Sequence, residues 1–154
     1  MSFNIIEATK DHATGILGLI KELAEYEKMA DQVKVTEEQL ANDLENKAVL
    51  GYVAEKNGNL VGMLLFYYAY STWQGQYIHM EDLYIRESFR RSGLGRLLWR
   101  KLAQNAREKN FEVTVECSRL CKSDKNPKGG SLFRMTEEQI DKLASSPSKS
   151  SDSA

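Results

Sequence analysis

The stretch Met80 to Leu98, MEDLYIRESFRRSGLGRLL, decides how the chain is read. An apolar run reads as a buried strand, a short basic loop with two glycines follows, and then a helix starts. That order makes a place to hold a phosphate, because the first N–H groups of a helix lack intrahelical partners and the macrodipole adds a partial positive charge there. Gly93 and Gly95 let the backbone come within hydrogen-bonding distance of a diphosphate, where a Cβ would block the approach or forbid the angles needed. Arg90, Arg91 and Arg96 bring positive charge to the same point. A surface turn with solvated arginines is the plainer alternative. The position between a β-rich segment and an amphipathic helix favours phosphate binding.

Upstream of that stretch the chain is β-rich. Val49 to Lys56 and Leu60 to Tyr70 are apolar, aromatic and β-branched runs joined by Asn57-Gly58, a strong hairpin signal. Gln76 to Arg86 follows the turn Ser71-Thr72-Trp73-Gln74-Gly75, so three strands form an antiparallel meander. Downstream, Leu94, Leu97, Leu98, Leu102 and Ala106 stripe a helix that ends near Asn110 and crosses to a further strand, Phe111 to about Glu116. At the N-terminus, Phe3 to Glu7 reads as a strand, with Thr9 as a cap. Lys10 to about Met29 reads as a helix with Ile16, Leu19, Ile20, Leu23 and Ala24 on its buried face. Its far end places Glu22, Glu25, Glu27 and Asp31 around Tyr26: either a solvated helix face or an acidic wall that draws a cationic substrate. Thr36 to Leu44 reads as a second helix capped by Thr36.

After Val115 the periodicity fails. Cys117 to Gly130, CSRLCKSDKNPKGG, reads as an irregular basic loop; Ser131 to Met135 reads as a strand, and Thr136 to Ala144 as a helix. The final SSPSKSSDSA is too poor in apolar residues to pack and is expected to be disordered. Residues 1–144 are thus expected to form a single domain, with 117–130 as an irregular insert and 145–154 as a tail.

With 154 residues, 42% hydrophobic and 28% charged, and a net charge of -1, the chain suits one core that needs no disulfide or metal staple. No global basic excess points to nucleic acid. The N-terminus MSFNIIEATK lacks the apolar core of a signal peptide and the stretch Val61 to Tyr70 is too short to span a bilayer, so the cytoplasm, or else the nucleus, is the expected location. Cys117 and Cys121, four apart, make no zinc motif with the distant His12 and His79 and read as reduced thiols; no metal is expected.

Taken together, the strand, the Arg-Arg-Ser-Gly-Leu-Gly loop and the helix resemble the acetyl-CoA site of the GNAT superfamily of N-acyltransferases. KELAEYEKM, YYAYSTWQGQYIHMEDLYI and FRRSGLGRLL are similar to the small eukaryotic spermidine/spermine (diamine) acetyltransferase branch. The resemblance covers about Phe3 to Val115 and resumes at Ser131 to Met135. It implies an α/β (α+β) fold, a mixed and mainly antiparallel sheet flanked by helices, with a truncated or rearranged C-terminal part. It implies acetyl-CoA as co-substrate, a small amine as acceptor and a homodimer with C-terminal strand exchange. By the same resemblance the backbone of Leu83, Tyr84 and Ile85 pairs with the pantetheine amides. Arg91, Ser92, Gly93, Leu94, Gly95 and Arg96, with Arg90 beside them, cradle the pyrophosphate. Glu81 takes the proton from the substrate ammonium, while Tyr26, Glu27 and Asp82 line the amine channel and Trp73 stands near its mouth.

The chemistry asks for such a base on its own account. An aliphatic amine is a nucleophile only when neutral, yet its ammonium form has a pKa near 10, so a proton acceptor must sit beside the nitrogen. A carboxylate on a mostly apolar strand suits this. Adjacent Glu81 and Asp82 point to opposite faces of a regular strand, so only one serves directly unless a bulge intervenes, and Glu81 is the choice. The alternative is that both carboxylates sit in structural hydrogen bonds at the edge of the core. His79 shares the face of Glu81, either as a helper base or as a satisfied histidine of the sheet.

The chain departs from the resemblance twice. Polyamine-acetylating members carry an Asp two residues before the tryptophan, where this chain has Ser71. The Ser-Thr-Trp form resembles the branch associated with thialysine and other lysine-like amines. The family's general-acid tyrosine, which protonates the departing thiolate, lies in a helix replaced here by Cys117 to Gly130, and the last of the seven tyrosines is Tyr84. That departure leaves open a weak or inactive acyl-CoA-binding, dimerising protein as the second reading. A nucleotide-binding protein is a third, weakened because neither a Gly-x-Gly-x-x-Gly nor a Gly-Lys-Ser/Thr signature is present.

Overall fold

The computed structural model describes residues 2–116, 132–135 and 137–145. The expectations for Cys117 to Gly130, for the thiols of Cys117 and Cys121, for Ser131 and Thr136, and for the tail after Ser145 lie outside the described residues.

Strands β1 (Asn4–Glu7), β2 (Leu50–Lys56), β3 (Asn59–Ser71), β4 (Gly75–Ile85), β5 (Val113–Glu116) and β6 (Leu132–Met135) form one sheet in the order β1-β2-β3-β4-β5-β6. Neighbours are antiparallel except β4 and β5, which run parallel because helix α3 (Leu94–Lys109) carries the chain back between them. The β2–β3 hairpin turns as its dipeptide demands: Asn57 and Gly58 have φ of 51° and 77°, the left-handed pair of a tight hairpin.

Both faces of the sheet are covered. Helix α3, with α4 (Glu137–Ser145) against it, packs on the face of Leu64, Phe66, Ile78 and Met80; Leu94, Leu98, Leu102 and Ala106 are all buried there. Helices α1 (Ala13–Tyr26) and α2 (Glu37–Glu45) cover Val53, Met63 and Leu65 on the other face, through Ile16, Leu19, Leu40 and Leu44. Each such apolar side chain taken fully from water contributes about 1.5–3 kcal/mol. Thr36 caps α2 with the reciprocal bonds of a capping box: its hydroxyl accepts from the Gln39 N–H at 3.2 Å, and its own N–H donates to the Gln39 side chain at 3.2 Å.

Helix α1 ends three residues before Met29, where the apolar pattern places its end. Lys28 turns into the left-handed region (φ 58°) and the N–H of Met29 closes on the carbonyl of Ala24 at 2.8 Å, so the helix stops at Tyr26. Leu23 and Ala24, half-buried, line an open cleft, and Ile20 lines it too while packing against the core on the α1 side.

Candidate active site

The site forms where β4 leaves β5. Their parallel pairing covers only Ile78↔Val113, His79↔Thr114 and Met80↔Val115. Beyond Met80 the β5 side of β4 has no strand partner among the described residues, so the backbone of the Leu83–Ile85 stretch keeps that edge available for hydrogen bonding, except at the Ile85 carbonyl, which accepts from Arg90, while the other edge pairs with Leu64, Met63 and Gly62. The side chains of Leu83 and Ile85 pack toward α3, and that of Tyr84 toward α1.

The register between β3 and β4 slips at this point. Leu65 faces Asp82 and Phe66 faces Met80, which leaves Glu81 as the extra residue of a β-bulge. The bulge overrides the strict alternation of a regular strand, and Glu81 and Asp82 both line one open cleft of about 420 Å³. Its other walls are Ile20, Leu23, Ala24 and Glu27 from the end of α1, and the segment from Met29 to Val35 before α2, including Lys34. Three carboxylates at an apolar floor suit an alkyl ammonium: charge at one end, methylenes along the wall. The side chain of Glu81 keeps 48% of its surface accessible.

At the far end of β4 the chain enters the glycine loop. Gly93 caps α3 with φ 84°, a conformation glycine adopts without strain, and Arg91 is also left-handed at φ 62°, at a cost its side chain adds. Among the described residues no side chain caps the first turn of α3. The amides of Leu94, Gly95 and Arg96 therefore have no intrahelical partner. A Cβ at Gly95 would stand 3.2 Å from Ile85 Cδ1, so glycine there lets α3 approach the end of β4 closely. Ser92 Oγ donates to the Phe89 carbonyl at 2.6 Å and holds the turn, and Leu94, 1% exposed, anchors the start of α3 in the core. Arg91 and Arg96 are exposed around this point. The cradle matches the needs of a diphosphate: bare amides, a helix N-terminus and mobile guanidinium groups.

Arg90 is employed elsewhere. Its Nε donates to the Ile85 carbonyl at 2.9 Å, and its guanidinium lies 5.1 Å from the ring centre of Tyr26 and 5.7 Å from that of Tyr84. It thereby ties the end of α1 to the end of β4. Glu22 does the same with Arg86 through a two-pronged ion pair, at 2.8 Å from Nη2 and at 3.1 and 3.2 Å from Nε, so part of the acidic run is structural. Tyr84 stands between these groups. Burial first, then the Glu22 carboxylate, raises its phenol pKa, and Arg90 opposes them, so the hydroxyl stays protonated at neutral pH.

The structure thus gathers Glu27, Glu81 and Asp82 in one cleft and Leu83 to Ile85 beside the glycine loop. It does not bring Trp73 to that cleft. Trp73 is 95% exposed at the tip of the β3–β4 hairpin, roughly 20 Å along the strand from Glu81 at the usual rise per residue. Tyr26, 70% exposed, lies under Arg90 and outside the cleft lining. Ser71 spends its hydroxyl oxygen on the turn, accepting from the N–H groups of Trp73 and Gln74 at 3.3 and 3.2 Å. Two contributors escaped sequence reasoning: the wall from Met29 to Val35, which carries no periodicity, and the bulge, which no Gly or Pro announces. Among the described residues no group of three or more His, Cys, Asp or Glu is placed to hold a metal ion, and no helix is long and apolar enough to cross a membrane.

Known proteins resemble this chain in sequence and fold. Residues 16–126 match the acetyltransferase (GNAT) family. The chain is 57% identical over 110 residues to a thialysine N-epsilon-acetyltransferase of Caenorhabditis elegans, an overlap of 71% of this chain and 69% of that protein. It is 37% identical over 147 residues to the thialysine N-epsilon-acetyltransferase of Bos taurus, covering 87% and 83%. Among solved structures, an aminoglycoside acetyltransferase from an uncultured soil metagenomic sample superposes with a TM-score of 0.67 at 18% identity over 86% of this chain and 96% of that one, a likeness of fold. The open β4 edge running into a glycine-started helix, together with a family match over most of the chain, establishes that this protein belongs to the GNAT family of acetyltransferases.

Proposed function

We propose that the chain transfers the acetyl group of acetyl-CoA to the primary amine of a small cationic substrate, of the thialysine or lysine-analogue kind, by direct attack. The observation that carries this is the bulge, which turns both Glu81 and Asp82 into a carboxylate-lined cleft at the point where the free edge of β4 begins. Acetyl-CoA supplies an acyl group already activated as a thioester. The amides of Leu83, Tyr84 and Ile85 lie along the path of its pantetheine arm, and Arg91, Ser92, Gly93, Leu94, Gly95 and Arg96 hold its pyrophosphate. Asp82 and Glu27 orient the ammonium group, and Glu81 removes a proton from it, directly or through a water, so that the nitrogen lone pair reaches the carbonyl. Tyr26 and Trp73 contribute to amine recognition only through surfaces outside this cleft. The names of the relatives support the amine class, as does Ser71, which supplies no carboxylate for the second ammonium of a long polyamine.

The protein is proposed to work as a single domain over residues 1–144, as a cytoplasmic homodimer, without metal, nucleic acid or membrane. A second reading, an acyl-CoA-binding protein with little turnover, is favoured by one observation: no tyrosine follows Tyr84 to act as general acid. Thermal unfolding with and without acetyl-CoA, followed by thiol release with thialysine, lysine and a diamine, tests both. Acetyl-CoA is expected to raise the midpoint. No shift at millimolar ligand would remove the cofactor assignment, and a shift without turnover would establish the second reading.

A further inference from the structure

We propose that His79 is a positioning and relay residue for the amine site: it accepts from Glu81 the proton that Glu81 takes from the substrate, and Thr114 holds its ring in the tautomer that permits this. The proposal rests on the reading of Glu81 as the base.

His79 is only 9% exposed, packed between β3 and β5, with its ring 4.9 Å from that of Tyr67. Its Nδ1 lies 3.2 Å from the Thr114 hydroxyl, itself 1% exposed, and that hydroxyl donates to the Ile78 carbonyl at 3.4 Å. A hydroxyl has one proton to give. With that proton directed at Ile78, the oxygen accepts from Nδ1–H, and the neutral ring carries its lone pair on Nε2. Nε2 lies 3.6 Å from Glu81 Oε2. Two acceptors facing each other repel until a proton comes between them, so the pair is arranged to receive one. The separation is longer than a hydrogen bond, as catalytic contacts commonly are before the substrate seats. The groups facing the ring are Tyr67 from β3, Thr114 from β5 and Glu81 from its own strand; Asp82 and Glu27 line the same cleft as Glu81. A histidine satisfied only for structural reasons would need no carboxylate at its second nitrogen.

The protons balance. The substrate ammonium gives one to Glu81 and its nitrogen becomes nucleophilic; Glu81 passes that proton to His79 Nε2, leaving an imidazolium beside a regenerated carboxylate. The second N–H proton, lost as the C–N bond forms and the C–S bond breaks, goes to the departing thiolate. The imidazolium then returns its proton to solvent through Glu81, which is half-exposed. Imidazole as a class is a stronger base than a carboxylate, so passing the proton on frees Glu81 to accept again.

The relay requires a ring nitrogen free to take the proton, so kcat/KM is expected to fall on the acid side of its pH profile. His79→Phe keeps a ring against Tyr67 and cannot hold the proton. It is expected to lower kcat on the order of a hundredfold with KM for acetyl-CoA unchanged, and to move the acid limb to lower pH. A lower kcat with the limb unmoved, or no change at all, would overturn the proposal. Because that variant can fail to fold, imidazole nitrogen NMR on the unmodified chain, which has only two histidines, supplies an independent reading. Expected are a protonated Nδ1 and a bare Nε2 in the neutral ring, and a titration that Glu81→Gln moves to lower pH for His79 and leaves alone for His12. A proton on Nε2, or a titration indifferent to Glu81→Gln, would contradict the relay. If the unmodified chain transfers no acetyl group, the enzymatic reading fails, and the NMR result still decides whether the His79–Glu81 pair exists.

Discussion

Asp82 and Glu81 are chemically similar neighbours, and the bulge gives them one cleft but different surroundings. Glu81 faces the imidazole of His79, while Asp82 keeps its register with Leu65. A division of labour follows: Asp82→Asn removes an attraction for the ammonium that exists before and during reaction, so KM for the amine should rise with kcat little changed. Steady-state kinetics with the amine varied checks this, and a fall in kcat alone would reverse the two assignments. Gly93 makes a different kind of demand. Its φ is 84° and no atom of the described residues lies within 4 Å of the point a Cβ would occupy, so alanine there meets strain and no clash with them. Gly93→Ala should cost about 1 kcal/mol of stability and weaken the thermal protection given by acetyl-CoA, because the relaxed loop turns its amides away. At this scale the sequence was legible where a residue type has one use, as with Gly93, and misleading where a side chain has two, as with Arg90, whose charge is held by the Ile85 carbonyl and two tyrosine rings.

At the scale of elements, local signals and tertiary outcome agree closely. The Asn57-Gly58 turn, the Thr36 cap and most of the α3 stripe stand where the pattern puts them, since each is decided within a few residues; in the stripe Leu97 is only half-buried and Ala103 is buried beside Leu102. The end of α1 and the bulge in β4 were not legible: one depends on Lys28 adopting a left-handed turn, the other on how two strands slip past each other. The capping box offers a direct check on α2. Thr36→Ala removes the hydroxyl that accepts from Gln39 and should cost about 1 kcal/mol, lowering the unfolding midpoint by roughly 2–4 °C. Because α2 supplies Leu40 and Leu44 to the α1 side of the sheet, the same variant should also loosen the cleft wall before it; amine KM measured beside the midpoint tests that coupling.

Across the whole molecule, two helical layers clamp a sheet whose parallel junction, between β4 and β5, opens into the site. Leu98, fully buried between α3 and the sheet, is expected to cost about 2–5 kcal/mol on truncation to alanine, read as a fall in denaturation midpoint. The buried tyrosines predict how the fold responds to alkali. Burial raises the phenol pKa of Tyr52, and the Asn105 hydrogen bond only partly offsets it; burial likewise raises that of Tyr84. A folded-state pKa above the unfolded value near 10 means full stability below about pH 10 and a loss as pH rises beyond it, because the unfolded chain ionises first. Unfolding midpoints across that range should fall, and less steeply for Tyr52→Phe.

Holding acetyl-CoA along β4 and deprotonating a small amine with Glu81 are the two tasks this fold is proposed to combine. Acetyl-CoA-dependent acetylation of thialysine, followed by thiol release and by mass spectrometry of the product, compares the unmodified chain with Glu81→Gln. We expect one acetyl group on the side-chain amine, with kcat reduced on the order of a hundredfold or more in the variant while acetyl-CoA still protects it from unfolding. Equal turnover by the two proteins, or no acetylated amine from either, would contradict that combination.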